Sequence, residues 1–161
     1  MNKILLKNVR LVIYDFDGVM TDNRVFVFEN GKEAVLVNRA DGMAVGLIKA
    51  MGIAQIIVST ETNPVVSMRA KKLKIPSMQS VKNKKIIIEK YLESNRINRK
   101  NVIYVGNDIN DKEVMKFVGM PVAPADADTA IRNIAKIVLP VKGGHGVVRE
   151  LLNKLKAARY E

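Results

Sequence analysis

At 161 residues, with no cysteine and a single histidine, the chain has room for one domain with its own core, and it excludes disulfides, thiolate metal centres and histidine clusters. Hydrophobic residues make up 48% of it, which argues against disorder, yet no apolar run approaches the roughly 20 residues of a membrane span. Lys and Arg number 27 against 16 Asp and Glu, and the resulting +11 favours anionic partners: nucleic acid, acidic lipid, or phosphorylated and carboxylated metabolites. With 5% aromatic residues the chain is poorly equipped to stack on single strands, so nucleic acid is a minor option. Met1 to Arg10 shows neither the apolar region nor the cleavage site of a signal peptide, and the expected location is cytoplasmic.

The first predicted element is a strand over Leu11 to Tyr14, with Val9 before it, apolar throughout and therefore covered on both faces. It ends in Asp15-Phe16-Asp17-Gly18-Val19-Met20-Thr21-Asp22. Two β-rich runs, 24–28 and 33–37, flank Asn30-Gly31 and predict a hairpin. Asp41 is placed to cap a helix that runs to about Met51 and stops at Gly52. A second buried strand over 53–58 ends at Ser59-Thr60-Glu61. A helix from about Pro64 to Leu73 follows, then a short extended segment at 75–78 and a helix over 83–94. Another buried strand, 101–105, closes in Gly106-Asn107-Asp108-Ile109-Asn110-Asp111. The pattern continues with helix 111–118, strand 120–123, helix 127–134, strand 136–139 and a final helix after Gly143-Gly144-His145-Gly146. Strands alternating with helices predict an α/β, Rossmann-like, doubly wound parallel sheet with helices on both faces. No repeat or linker divides it, and residues 1–161 read as a single domain.

In an open α/β sheet the ligand crevice lies at the carboxyl ends of the strands. Asp15 and Asp17 sit at such an end. Two crowded carboxylates call for a divalent cation, and one can attack or hold metal while the other handles protons. An Asx-type turn closing the strand is the plainer alternative. Ser59 offers a hydroxyl and a following helix N-terminus, both suited to phosphate oxygens, or an ordinary cap. Lys84 opens a helix, where the macrodipole disfavours a cation unless an anion is nearby. Lys82 and Lys85 equally allow a solvated charge run. Asp108 and Asp111 cap a helix or complete an oxygen-rich Mg2+ site.

Acid pair, hydroxyl, lysine and late acids, in that order, resemble the haloacid dehalogenase (HAD) superfamily of phosphohydrolases. Asp15-Phe16-Asp17-Gly18-Val19 is similar to its first motif, Ser59 to the second, Lys84 to the third, and Gly106-Asn107-Asp108-Ile109-Asn110-Asp111 to the fourth. The resemblance implies a Mg2+-dependent phosphomonoesterase working through an aspartyl-phosphate. Asp15 would be the nucleophile and Asp17 the general acid and base. Mg2+ would be held by Asp15, Asp108 and the Asp17 carbonyl. Ser59 and Lys84 would hold phosphate oxygens, with Asp111 orienting Lys84.

Neither the stretch from Asp17 to Ser59 nor that from Lys84 to Asp108 accommodates a cap domain of about 50 residues or more. This capless plan resembles the subfamily of 3-deoxy-octulosonate 8-phosphate phosphatases, nonulosonate 9-phosphate phosphatases and the C-terminal domain of sialate cytidylyltransferases. Gly143-Gly144-His145-Gly146-Val147-Val148-Arg149-Glu150 is similar to the subfamily's GGxGxxRE, with His145 where octulosonate phosphatases commonly have Arg. The resemblance implies a homotetramer whose hairpins and tails cover neighbouring sites. Glu61 stands where octulosonate phosphatases typically have Arg. With Arg69 and Lys72, three apart on the next helix, it is a candidate substrate pocket. That pocket favours a nonulosonate 9-phosphate over octulosonate 8-phosphate as the sugar acid. The alternatives are a catalytically quiet oligomerisation module beside a cytidylyltransferase, a receiver-type signalling domain and charge-driven nucleic-acid binding.

Overall fold

The computed structural model describes residues 6–160; the first half of the signal-peptide expectation, over residues 1–5, lies outside the described residues. Six parallel strands form one sheet: β1 (Leu11–Tyr14), β4 (Ala54–Val58), β5 (Ser77–Met78), β6 (Val102–Val105), β7 (Met120–Ala123) and β8 (Ile137–Val138). Their order is β5-β4-β1-β6-β7-β8, with Ile13 paired to Ile56 on one side and to Tyr104 on the other. The chain winds outward from β1 in one direction, returns, and winds outward again from β6. The sheet's switch point therefore lies between β1 and β6, where crevices open in this architecture.

The apolar strands are buried on both faces because helices cover both. Alternation along β1 sends Val12 and Tyr14 into a cluster with Ile48, Val66, Leu151 and Leu155, and sends Leu11 and Ile13 into another with Ile88, Val114 and Ile131. The first layer is built by α1 (Arg39–Ala50), α2 (Val65–Leu73) and α6 (Val147–Tyr160). The second is built by α3 (Lys84–Ser94), α4 (Lys112–Phe117) and α5 (Thr129–Ile134). Among the described residues no helix is long and apolar enough to cross a membrane.

The largest departures from expectation are at element starts. Helix α1 is capped by Asn38, whose side chain accepts the Ala40 N–H, rather than by Asp41. Asp41 lies buried in the first turn, and its Oδ1 accepts the Arg149 N–H at 2.9 Å, so it caps α6 instead. That helix follows Gly146, which has no side chain of its own to offer. The predicted hairpin forms, but β2 (Phe26–Val27) and β3 (Glu33–Ala34) pair over only two residues each, as Phe26–Ala34 and Val27–Glu33. Thr21 and Val37 make one isolated antiparallel bridge below it. The arm 24–28 is exposed throughout, whereas Val35 and Val37 pack on the core, so most of the hairpin's pairing is left without a covering layer. The stretches between Asp17 and Ser59 and between Lys84 and Asp108 hold no inserted domain, and the site is capless.

Candidate active site

Three adjacent strand ends supply the site. Asp15 and Asp17 follow β1, Ser59 follows β4, and Asn107 and Asp108 follow β6. Together with Asn23, Thr60 and Asn110 they line a cleft of about 150 Å³. The floor of this cleft is an ionic triad. Lys84 Nζ lies 2.8 Å from Asp15 Oδ1 and 2.7 Å from Asp111 Oδ1, and all three side chains are almost fully buried. The cation at the start of α3 thus has its anions. Asp111 is itself held on every side. The Tyr104 hydroxyl donates to Oδ1 at 2.6 Å, and the backbone N–H groups of Asn107 and Asp108 donate to Oδ2 at 2.9 and 3.4 Å. Tyr104 was hidden in the sequence by the apolar run of β6.

Asp15 Oδ1 also accepts the Phe16 N–H at 2.7 Å. Burial, with the Asp111 carboxylate adding to it, pushes the Asp15 carboxyl up to about 8 against the opposing pull of Lys84. Lys84 is raised as well, because the two carboxylates outweigh its burial. One ammonium therefore serves two buried carboxylates, with Asp17 and Asp108 lining the same cleft. Such a donor set is short of positive charge, which a hard divalent cation on oxygen ligands would supply. Asn107 Oδ1 is buried with no hydrogen-bond partner, a further oxygen suited to a cation's hydration shell. Among the described residues no three carboxylate or imidazole side chains converge at metal-binding distance. Asp15 and Asp108 would hold Mg2+ with their carboxylates, and Asp17 with its main-chain carbonyl.

Burial, with the Glu61 carboxylate adding to it, raises Asp17 above its ordinary value, while the Thr21 hydroxyl opposes the shift. Thr21, fully buried, donates to Asp17 Oδ1 at 3.4 Å and accepts the N–H groups of Gly18 and Asn23, both at 3.2 Å. A hydroxyl has one proton and two lone pairs, and all are used.

Ser59 is buried, and its Oγ accepts the Glu61 N–H at 3.0 Å. No helix follows it directly: α2 begins at Val65, and residues 60–64 form a turn. Glu61 is correspondingly not in a helix's first turn. Its Oε1 closes this turn by accepting the N–H groups of Thr62 and Asn63 at 2.6 and 2.8 Å. Glu61 does line a second cavity, of about 280 Å³, next to Asp17 with Arg24, Glu33 and Asn63. Arg69 and Lys72 do not join it. Arg69 turns to the start of α1, where Nη2 donates to the Asn38 carbonyl at 3.0 Å, and Lys72 lies in solvent. Within one chain the expected three-residue pocket is therefore corrected to Glu61 alone, bordered by Arg24 and Glu33, which the sequence reading missed.

The match to haloacid dehalogenase-like hydrolases covers residues 53–151, which include Ser59, Lys84, Asp108 and Asp111. The chain belongs to that family. A 3-deoxy-D-manno-octulosonate 8-phosphate phosphatase, KdsC, of Escherichia coli K12 is 35% identical over 154 residues, 95% of this phosphatase and 82% of the relative. A solved HAD family hydrolase from Streptomyces avermitilis superposes with a TM-score of 0.92 at 39% identity, covering 94% and 87% of the two chains. The octulosonate 8-phosphate phosphatase of Moraxella catarrhalis, solved with magnesium, phosphate and KDO, shares the fold with a TM-score of 0.94 at 23% identity, covering 98% and 91%. HAD phosphatases use Mg2+.

Proposed function

We propose that this phosphatase hydrolyses the phosphate monoester of a 2-keto-3-deoxy sugar acid through an aspartyl-phosphate. The carrying observation is the single cleft that gathers Asp15, Asp17, Ser59 and Asp108 over Lys84. In the first step an Asp15 carboxylate oxygen attacks phosphorus, the bond to the leaving oxygen breaks, and the Asp17 carboxyl gives that oxygen its proton. In the second, water attacks the phosphorus of the aspartyl-phosphate, Asp17 takes the water's proton, and Asp15 leaves as carboxylate with inorganic phosphate released. Ser59 and Lys84 hold the phosphoryl oxygens through both steps. Mg2+, when bound, neutralises charge on the transferring group. The raised Asp17 carboxyl supports the acid role.

The KdsC relative supports octulosonate 8-phosphate as the first substrate. Glu61 beside Asp17 supports nonulosonate 9-phosphate as the second reading, since Oε2 remains to accept a hydroxyl or amide proton. Val25, Phe26, Val27, Phe28 and Leu36 on and beside the hairpin are 48 to 67% exposed, which supports a homotetramer in which copies cover one another. The filled catalytic positions stand against the quiet-module reading. We place the enzyme in the cytoplasm as one catalytic unit of residues 1–161.

The test measures kcat/KM on both sugar acid phosphates with Mg2+ and with EDTA. We expect activity only with Mg2+, and a loss of about 10⁴-fold or more in Asp15→Asn. Wild-type turnover in Asp15→Asn overturns the proposal, and a large preference for either sugar decides between the two.

A further inference from the structure

The segment Gly143-Gly144 lies backbone to backbone on the loop 18–22. The Gly144 N–H donates to the Val19 carbonyl at 3.0 Å. A methyl group on Gly143 would overlap Gly18 and crowd the Thr21 carbonyl. One on Gly144 would stand 2.5 Å from Asp22 N and 2.7 Å from the Thr21 carbonyl carbon, at a residue whose φ is already +70°. The segment is tied down from both sides. The Gly143 N–H donates to Asp126 Oδ1 at 2.9 Å, and Asn38 Nδ2 donates to the Gly144 carbonyl at 3.4 Å. Behind it, α6 is pinned to α1 by Asp41.

The loop under this segment is the one that aims Asp17. It carries Thr21, whose hydroxyl meets Asp17 and the Gly18 N–H, while Val19 and Met20 sink into the core and Thr21 bridges to Val37. Phe16 O gathers the N–H groups of Val19, Met20 and Thr21, closing the turn on which Gly143 and Gly144 rest. We infer that Gly143 and Gly144 are positioning residues for Asp17. Side-chain-free backbone at these two places lets the carboxyl end of the chain press the loop 18–22 into the conformation in which Thr21 holds the acid/base group toward the leaving oxygen. This rests on the phosphatase reading above, with Asp17 as proton donor and acceptor. It gives the glycines a role within their own protomer, whatever a neighbouring copy adds.

The nucleophile and the phosphate groups are fixed by the buried triad and by Ser59, not by this loop. Turning the Asp17 side chain away from Thr21, with its main-chain carbonyl left in place for Mg2+, therefore impairs proton transfer, and its signature is dependence on the leaving group. An alkoxide needs a proton to depart, whereas p-nitrophenolate departs without one. The experiment compares pre-steady-state release from a sugar acid phosphate and from p-nitrophenyl phosphate in Gly143→Ala, Gly144→Ala and Asp17→Asn, with Mg2+. General acid–base catalysis contributes about 10²–10⁴-fold. We expect the glycine variants to lose about 10- to 100-fold in the rate of alkyl ester cleavage. The p-nitrophenolate burst should stay within about twofold and be followed by slowed turnover, because Asp17 also serves the water. Asp17→Asn should show the same split at larger size. Asp126→Ala, at an exposed position, removes the acceptor of the Gly143 N–H without adding bulk. It should show the split at smaller size, and it keeps the test open if a glycine variant does not fold. Equal losses on both esters, or no loss in any of the three brace variants while Asp17→Asn shows the split, overturn the inference. A missing split in Asp17→Asn itself overturns the reading beneath it.

Discussion

Lys84 and its two carboxylates are buried and joined at 2.7 and 2.8 Å, whereas Phe26 and Val27 of the hairpin are 58% and 67% exposed and held by two residue pairs. Both regions border Asp17, and they differ in what each asks of the rest of the molecule. The triad's contacts all come from one chain: Lys84 meets both carboxylates, and Tyr104 and two backbone N–H groups donate to Asp111. The hairpin presents apolar side chains to water and leaves the cavity beside Glu61 open. The ionic floor is thus an internal property of the fold, while enclosure of the cavity beside Glu61 is left to whatever covers the hairpin.

The sharpest way to break this contrast is to remove the cation. Lys84→Ala leaves Asp15 and Asp111 buried and unpaired, a defect of about 3–5 kcal/mol. The midpoint of thermal unfolding should fall by roughly 10 °C, and turnover should vanish. A Lys84→Ala protein as stable as wild type would mean that the triad is not the rigid floor. The second test uses pH. The Asp15 carboxyl is raised from 3.8 to about 8 in the folded protein. Folding therefore favours its protonated form, and the stability this group contributes is full below pH about 4 and lost as pH rises through about 8. In EDTA, melting temperature should decline over that window in the wild type and decline less in Asp15→Asn. Parallel curves would refute the shift.

At the hairpin the expectation reverses. Phe26→Ser with Phe28→Ser should leave the stability of a single chain within about 0.5 kcal/mol. Particle mass should drop toward that of a monomer, with a loss in kcat/KM for the sugar acid phosphate but not for p-nitrophenyl phosphate. Unchanged mass by light scattering would show that the apolar hairpin is not an interface. The smallest effect is at Lys72, which lies in solvent: Lys72→Ala should alter kcat/KM by less than about twofold.

What could be read in advance follows the same division. Asp15, Asp17, Ser59, Lys84 and Asp108 stand out in the sequence because they fall, in the order of one set of motifs, at the carboxyl ends of apolar strands and at helix starts. A lysine opening α3 is the clearest instance. The sheet was equally legible, since strands buried on both faces show uninterrupted apolar runs. Apart from the turn at 60–64 that stands where a helix start was expected after Ser59, the misreadings concern partners distant in the chain. Asp41 and Asn38 are both competent caps for α1, and nothing local says that Asp41 is taken by Arg149. Arg69 and Lys72 share a helix face by spacing, but where Arg69 turns depends on the start of α1. Gly143-Gly144 reads as a loop before a helix because the need for bare backbone comes from the loop it rests on.

The capture of α6 by Asp41 also orders events in time. Helix α6 covers α1 and the face of the sheet bearing Val12 and Tyr14, and it is translated after all the catalytic motifs. A nascent chain paused before Arg149 has every residue of the phosphate site but no cap donor for Asp41 and an uncovered apolar layer. Arrival of α6, rather than synthesis of the catalytic motifs, is the moment at which this layer of the fold closes.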